Sequence, residues 1–242
     1  AIKKQALFNR WWYIRLAPEL KANGIWEDVL HKNKLHKINN VSQYGSLIIS
    51  LEQSEEQIFS GLKGKWRNLL RKSMSLDTKV SRLSNSHDID NLILNYNNYQ
   101  KLKGFVGIPE KLLRLLSKQV GDDWDFSMLG VYSRDDQTQL AATLVSVRHG
   151  DTSTYLIGMS DDNGRKINAN YLLLWTAILD AKSSGCKYFD LGGLDEHTSK
   201  GIEKFKNGTG GGYYKLIGEW HWFIGLGEVL YQVLSKLKII KI

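Results

Sequence analysis

One stretch of the chain, residues 189–220, concentrates the residue types that could do chemistry. Its special positions are Asp190, Gly192, Gly193, Lys206, Gly210 and Gly211. Glycines allow a backbone to approach another group closely and leave amide groups free to bond it. A lysine beside such a backbone can stabilise negative charge that develops during a reaction. The alternative interpretation is that the lysines form a solvated face and the glycines serve turns.

A second basic set lies on a predicted helix. Lys63, Arg67 and Arg71 follow one another at i, i+4 and i+8, so they share one side of that helix. The apolar residues available to its other side are Leu62, Trp66, Leu69 and Leu70. The basic stripe could hold the phosphates of a nucleotide-linked or lipid-linked precursor, or the acceptor stem of tRNA. It could equally belong to an ordinary amphipathic helix that covers the core.

Other catalytic chemistry has little support in the sequence. The six histidines show neither an HExxH pattern nor Cys/His spacing, so no metal site is predicted. Cys186 follows a helix-ending glycine at the start of an apolar run, which favours a core residue over a nucleophile. Asp195, Glu196 and His197 could form an acid–base group but are predicted to lie in a polar loop. Asp190 is the better candidate for orienting an amine, or it satisfies neighbouring backbone amides.

Composition indicates a folded, basic protein. The 242 residues carry a net charge of +8, and 42% of them are hydrophobic, enough to build one large domain or two small ones. A basic balance favours polyanionic partners such as RNA, nucleotide diphosphates or an anionic membrane face. One cysteine cannot form an internal disulfide, and no apolar run approaches the roughly 18 residues that span a bilayer. With no signal peptide recognised, we expect a cytoplasmic protein, with peripheral contact at the inner membrane face as an option.

The elements that must position these residues alternate between strands and helices. Strands are predicted at 11–16, 46–51 and 78–83, and helices at 24–37, 54–74, 84–104 and 108–121. Gly61 and Gly64 are expected to interrupt the second of these helices. Three strands at 126–133, 139–149 and 152–159 then form an antiparallel meander, followed by a helix at 168–185 and a buried strand at 187–193. This order is typical of an N-acyltransferase core of the GNAT type.

Three segments in this order resemble the FemAB family, the peptidoglycan-precursor aminoacyltransferases built from two GNAT-like lobes. Residues 47–80 are similar to its strand, its Ser-Glu-Glu helix and its Lys-x-Arg-Asn-x-x-Arg-Lys run. Residues 99–116 resemble its basic-Gly-Phe segment and Pro-started helix. In the third segment the matching positions are Asp190, Gly192, Gly193, Phe205, Lys206, Gly210 and Gly211. The resemblance covers about residues 11–223.

The resemblance implies an α/β fold with a mixed sheet, comprising one full GNAT-like lobe and a shortened first lobe. We expect the first lobe at 1–80, with an amphipathic C-terminal helix at 221–242 packing back on it, and the catalytic lobe at 81–220. By the same resemblance, Lys206 would stabilise the oxyanion of the donor ester. Asp190 is the second predicted catalytic residue, as a group that orients the amine. The substrate-binding residues would be Phe205, Gly192, Gly193, Arg67, Arg71, Lys72, Tyr155, Gly210 and Gly211.

The donor is predicted from a missing motif. Acetyl-CoA enzymes of the GNAT type cradle the pyrophosphate with an Arg/Gln-x-x-Gly-x-Gly/Ala loop at the start of the central helix. Here Arg165 is followed by Asn168 and Asn170 where the glycines would be needed, although Asn168 could simply cap the helix. We therefore expect aminoacyl-tRNA as co-substrate, a phosphate-bearing cell-envelope precursor as acceptor and no cofactor. The alternatives are an acyl-CoA-dependent enzyme acting on an amino sugar, or a non-catalytic RNA-binding or membrane-surface module.

Overall fold

The computed structural model describes residues 2–76, 78–119, 121–133, 139–195 and 198–237. Its helices are α1 (Ile2–Phe8), α2 (Ile25–Lys32), α3 (Glu55–Gly61), α4 (Gly64–Met74), α5 (Ser86–Lys103), α6 (Glu110–Lys118), α7 (Asp162–Lys166), α8 (Ala169–Ser183), α9 (Lys200–Asn207) and α10 (Leu226–Lys236). Its strands are β1 (Tyr13–Leu16), β2 (Leu35–Lys37), β3 (Gly45–Ser50), β4 (Ser81–Leu83), β5 (Trp124–Tyr132), β6 (Leu140–His149), β7 (Thr152–Ser160), β8 (Tyr188–Asp190), β9 (Gly212–Lys215) and β10 (Trp220–Phe223).

The chain divides into two compact units. The larger comprises the described residues of Leu47–Gly192 and Ser199–Gly212, and the smaller those of Ala1–Ser46, Gly193–Thr198 and Tyr213–Ile242. The predicted lobes, 1–80 and 81–220, are a different division that rests on resemblance to a two-lobed family, and they stay a prediction.

In the larger unit, strands lie in the order β4-β5-β6-β7-β8-β3. All of these neighbours are antiparallel except β7 and β8, which run parallel. The predicted mixed sheet is therefore confirmed. So are the meander of β5 to β7, the central helix α8 and the break between α3 and α4.

Helices cover both faces of this sheet. Leu92, Ile93 and Tyr96 of α5 pack in one cluster with Met128 and Val145 of the sheet. Successive residues of a strand point to opposite faces, and the opposite face, which includes Ser127 and Ser146, lies beside Ala177 of α8. Consecutive residues of β6, from Ala141 to Val147, are buried, so both faces of the strand are covered and the strand reads as a nearly continuous hydrophobic run.

The smaller unit contains an antiparallel sheet in the order β1-β10-β2. Trp220 and Ile217 are fully buried and pack in one cluster with Leu35. The helix predicted at 24–37 is partly wrong: it ends at Lys32, and positive φ at Lys34 (64°) turns the chain into β2. No helix was predicted before residue 11, where the structure has α1, a helix of only seven residues.

The C-terminal helix is shorter than predicted. Residues 220–223 form β10, held between β1 and β2, so α10 begins at Leu226 rather than at 221. Tyr231 stacks on Phe223 with ring centroids 4.4 Å apart and lies 4.5 Å from the ring of His36. The predicted helix residues after 237 lie outside the described residues, as do Glu196 and His197.

Candidate acyl-transfer site

The candidate site lies where the two parallel strands separate. β7 and β8 are paired from Thr152 with Tyr188 to Thr154 with Asp190, and β8 ends there while β7 continues to Ser160. One residue later β7 bulges, since Ser146 pairs with Tyr155 but Val145 pairs with Ile157. Among the described residues, β7 has no ladder partner on the β8 side beyond Thr154. A strand edge is thereby opened inside the sheet, where a carbonyl group could lie.

Lys206 extends from α9 into this region. Its side chain is 6% exposed, and its Nζ donates to the carbonyl oxygen of Gly192 at 3.1 Å. The same Nζ lies 5.6 Å from the centroid of the Tyr155 ring. A buried ammonium group is costly unless polar groups and aromatic faces surround it. The structure therefore holds a cation at the strand divergence and places the predicted catalytic lysine beside Tyr155 and Gly192.

Tyr155 presents a neutral hydroxyl. Burial raises the pKa of Tyr155 well above its ordinary value. Gly158 makes room for it, because a Cβ there would stand 1.7 Å from the hydroxyl oxygen. On a regular strand, residues three apart lie on opposite faces. The bulge places Tyr155 and Gly158 on the same face of β7, so the Tyr155 hydroxyl can lie against Gly158.

Asp190 shapes the turn after β8. Its side chain is 5% exposed, and Oδ1 accepts the backbone N–H of Gly192 at 2.7 Å. The sequence left two roles open for Asp190, orienting an amine or satisfying backbone amides, and this bond is of the second kind. The bond helps to hold Gly192 at a φ of +70°.

Packing of the chain itself explains two of the predicted site glycines. A Cβ on Gly192 would stand 2.5 Å from the carbonyl oxygen of Tyr155, and one on Gly210 (φ +76°) would stand 2.2 Å from that of Gly61. Gly211 is tight as well, with the carbonyl oxygen of Ile48 at 3.1 Å. For a Cβ on Gly193, the nearest atom among the described residues is a ring carbon of Tyr44 at 3.5 Å, an ordinary contact. The described contacts around Gly193 therefore do not explain why this position is a glycine.

Phe205 lies in an aromatic cluster rather than beside Tyr155. Its ring is 6.0 Å from that of Trp66 and 5.1 Å from that of Tyr171. Trp66 Nε1 also donates to the Phe205 carbonyl oxygen at 3.0 Å, which fixes α9 against α4. The sequence placed Trp66 on an apolar helix side but did not indicate that Tyr171 of α8 completes the cluster.

The basic residues of α4 keep their predicted side of the helix. Arg67 donates to the carbonyl oxygen of Ser60 at 3.0 Å, and the Arg71 guanidinium lies 5.2 Å from the Phe59 ring centroid. Arg71 and Lys72 are exposed, whereas Trp66 and Leu70 of the same helix are buried. The stripe is thus available to an anionic partner, and its other side covers the core.

The segment before α8 has no glycine loop. Residues 162–166 instead form α7, capped by Asp161, whose Oδ1 accepts the Gly164 N–H at 2.8 Å. Arg165 pairs with Asp162 and donates to the Ser160 carbonyl oxygen at 2.8 Å. Asn168 occupies the N-cap position with a φ of +56° but makes no side-chain cap bond, so the predicted side-chain capping is wrong.

Cys186 is buried, as predicted, and burial raises the pKa of its thiol. A thiol with a raised pKa is a poor nucleophile at neutral pH.

A meander, a central helix and a diverging parallel strand pair define a GNAT-type acyltransferase fold. The FemAB family model matches residues 127–238, which confirms the resemblance seen in the sequence. Together the family match and the fold point to an acyltransferase. No curated protein matches the chain in sequence.

Solved structures agree on the fold. The crystal structure of FemX has a TM-score of 0.78 at 14% identity, covering 96% of this chain and 77% of its own. The C-terminal domain of a putative lysylphosphatidylglycerol synthetase from Agrobacterium fabrum has a TM-score of 0.61 at 10% identity, with coverages of 98% and 76%. A tandem GNAT protein from the clavulanic acid biosynthesis pathway has a TM-score of 0.53 at 10% identity, with coverages of 92% and 67%.

Among the residues that the structure describes, no helix is long and apolar enough to cross a membrane.

Proposed function

We propose that this protein is an aminoacyltransferase that forms an amide between an amine of a cell-envelope precursor and the aminoacyl group of an aminoacyl-tRNA. The observation that carries the proposal is Lys206, a buried cation held at the point where β7 and β8 diverge. The FemAB match and the FemX-like fold favour this branch of acyltransferases.

The reaction makes one bond and breaks another. The acceptor nitrogen attacks the ester carbonyl carbon, and the carbonyl oxygen becomes an oxyanion. Collapse of this intermediate breaks the bond to the ribose oxygen, which leaves with the proton that the amine gives up. No protein general base is required if that proton passes late to the leaving group.

Lys206 would act on the oxyanion. Its Nζ donates to the Gly192 carbonyl oxygen at 3.1 Å, which fixes the ammonium group at the strand divergence. A donor fixed in a buried site stabilises a developing oxyanion by about 3–4 kcal/mol. The neutral Tyr155 hydroxyl, on the same strand divergence, would orient a polar group of either substrate.

The donor is inferred from the segment before α8. The pyrophosphate of CoA would need free backbone amides there. In this chain the Gly164 N–H is taken by Asp161, and Arg165 is paired with Asp162. A tRNA donor needs no such cradle and could use the exposed Arg71 and Lys72 and the half-buried Arg67 for its phosphates.

The experiment replaces Lys206 by Ala and measures amide formation with charged tRNA and, separately, with acyl-CoA. We expect turnover with charged tRNA to fall by on the order of a hundredfold, with a much smaller change in donor affinity. Lys206→Arg should restore part of the rate, since the planar guanidinium presents its donors differently. Lys204→Ala is the matched control, because Lys204 lies on the same helix but is exposed.

Several outcomes would overturn the proposal. Equal, small effects at Lys204 and Lys206 would leave both lysines as parts of a basic surface. Turnover of acyl-CoA but not of charged tRNA would assign a CoA-dependent enzyme. Because removing Lys206 also removes a buried hydrogen bond, Lys206→Met and a melting curve would separate lost chemistry from lost folding.

A further inference from the structure

The helix α10 turns an apolar side to solvent. It packs on the smaller unit's sheet through Tyr231, whose ring lies against those of Phe223 and His36. A different set of apolar residues follows at i, i+3, i+4, i+7 and i+11, so its members share one side of the helix. They are Leu226, Val229, Leu230, Val233 and Leu237, and all five are exposed. An amphipathic helix ordinarily buries its apolar side, so this exposed side points to a partner.

The segment that leads into β1 adds aromatic side chains beside α10. The Ile224 N–H donates to the Trp12 carbonyl oxygen at 3.0 Å, and a Cβ on Gly227 would stand 2.1 Å from the same oxygen. Glycine at 227 therefore lets α10 begin directly against this segment. Three aromatic residues of the segment are exposed, namely Phe8, Trp11 and Trp12. We call these three, together with the exposed side of α10, the apolar surface of the smaller unit.

The charges beside the apolar surface are mainly positive. Residues 1–12 contain three cations, Lys3, Lys4 and Arg10, and no acidic residue. All three cations are exposed. The acidic residue of α10, Glu228, is already paired with Lys34. Apolar and cationic groups thus lie together, with little negative charge to oppose an anionic partner.

This combination favours a lipid bilayer over a second copy of the chain. A symmetric contact between two copies would place the same surface of each against the other. The cations of residues 1–12 would then face one another, and like charges across an interface are unfavourable. An anionic bilayer would attract them instead, and its acyl region would take up exposed leucine and valine side chains. Tryptophan is also favoured at the boundary between membrane and water.

We propose that the apolar surface docks the protein on an anionic lipid bilayer as a peripheral contact. In this arrangement α10 lies in the plane of the bilayer surface, with its exposed side toward the acyl chains. The lysine and arginine side chains remain at the level of the lipid headgroups. Docking of this kind requires neither Lys206 nor a substrate of the proposed reaction.

Flotation of the full chain with vesicles tests the proposal, with phosphatidylcholine alone or mixed with phosphatidylglycerol. We expect strong flotation with the mixed vesicles and much less with phosphatidylcholine alone. Leu230→Gln/Val233→Gln should lower partition into the mixed vesicles by about tenfold or more, because two apolar side chains no longer leave water. Leu94→Gln/Leu115→Gln in the larger unit is the matched control. Its leucines are 60% and 49% exposed, against 54% and 49% for Leu230 and Val233.

Two further variants separate the apolar and charged parts of the contact. Phe8 is 83% exposed, so Phe8→Ser should lower partition without a change in melting temperature. This variant keeps the test valid if the α10 double variant fails to fold. Lys3→Gln/Lys4→Gln should weaken binding to the mixed vesicles and leave the weak binding to phosphatidylcholine unchanged, because only the anionic lipid attracts those charges.

Absence of flotation with the mixed vesicles would overturn the proposal, and so would an equal loss in the control pair. Binding that is lost in Lys3→Gln/Lys4→Gln but unchanged in both apolar variants would also overturn it, since attraction of a basic protein would then suffice. A dimer detected by light scattering and lost in Leu230→Gln/Val233→Gln, with no vesicle binding, would assign the surface to a second copy. Acyl transfer has no part in these measurements, so failed docking leaves the proposed function standing, and failed transfer leaves docking standing.

Discussion

At the scale of the residue, the glycines of the opening motif separate into two kinds. The family resemblance treats Gly192 and Gly193 alike, as positions where a donor approaches the backbone. In the structure Gly192 has a φ of +70°, and a Cβ there would stand 2.5 Å from a carbonyl oxygen, whereas the nearest described atom to a Cβ on Gly193 is 3.5 Å away. Sequence could identify the pair but not this difference, because φ and the Tyr155 contact depend on the turn after β8.

The difference predicts opposite behaviour for two neighbouring substitutions. Gly192→Ala should destabilise the protein by roughly 1–3 kcal/mol, since it combines an unfavourable φ with a backbone clash. Gly193→Ala should leave stability nearly unchanged and lower donor binding only if a ligand lies against it. Urea unfolding of both variants, together with donor titration, measures the two effects. Equal destabilisation by both would mean that the turn as a whole is strained.

Lys206 shows how far residue patterns could go. Its position before a glycine-rich loop indicated chemistry, but equally a solvated lysine. Burial and the 3.1 Å bond to the Gly192 carbonyl oxygen distinguish the two, and neither is visible in a lysine-rich sequence. The aromatic cluster around Phe205 could not be predicted from the sequence either, since Trp66 and Tyr171 lie more than 100 residues apart in the chain.

At the scale of the element, the long segments and the short strands β1, β4 and β8 were predicted, but β2 and β10 were not. The strands β5 to β7 and the helix α8 follow from continuous apolar runs that both faces of the sheet demand. The residues of β10 lie at the start of a predicted helix, and those of β2 lie at the end of another. Each has four residues or fewer and is defined by its partners, so local propensity says little about it.

The cross-strand pairing of β2 with β10 brings His36 opposite His221. Burial lowers the pKa of both imidazoles, and their mutual repulsion adds to the effect at His36. The ordinary histidine pKa is about 6.5. Below that value the unfolded chain binds protons that the folded sheet does not, so the folded state loses stability as pH falls toward the lowered pKa values.

We therefore expect the melting temperature to be lower at pH 5.5 than at pH 7.5, and His36→Gln to reduce that difference. His87→Gln is the control, since His87 is exposed on α5. Melting curves at the two pH values on the three proteins suffice. A pH difference that persists unchanged in His36→Gln would assign it to groups other than His36.

At the scale of the whole molecule, a net charge of +8 attracts any polyanion, so affinity for tRNA alone cannot identify a binding surface. The number of phosphates contacted is reported instead by the slope of log affinity against log salt, about 0.7–0.9 for each contact. The salt slope therefore separates long-range attraction of tRNA by scattered charge from direct contact of its phosphates with a basic stripe. Composition predicted the polyanionic partner class, and only the placement of the charges can say where it binds.

The exposed stripe on α4 gives the prediction. Arg67→Ala/Arg71→Ala should lower the salt slope of tRNA binding by roughly one to two, because two phosphate contacts no longer release counterions. Lys111→Ala/Lys118→Ala removes the same charge from exposed positions on α6 and serves as the matched control. It should weaken binding slightly at low salt and leave the slope nearly constant. Filter binding across a salt series distinguishes the two, and an equal change in both slopes would mean that tRNA follows the overall charge of the protein and that α4 is scaffold.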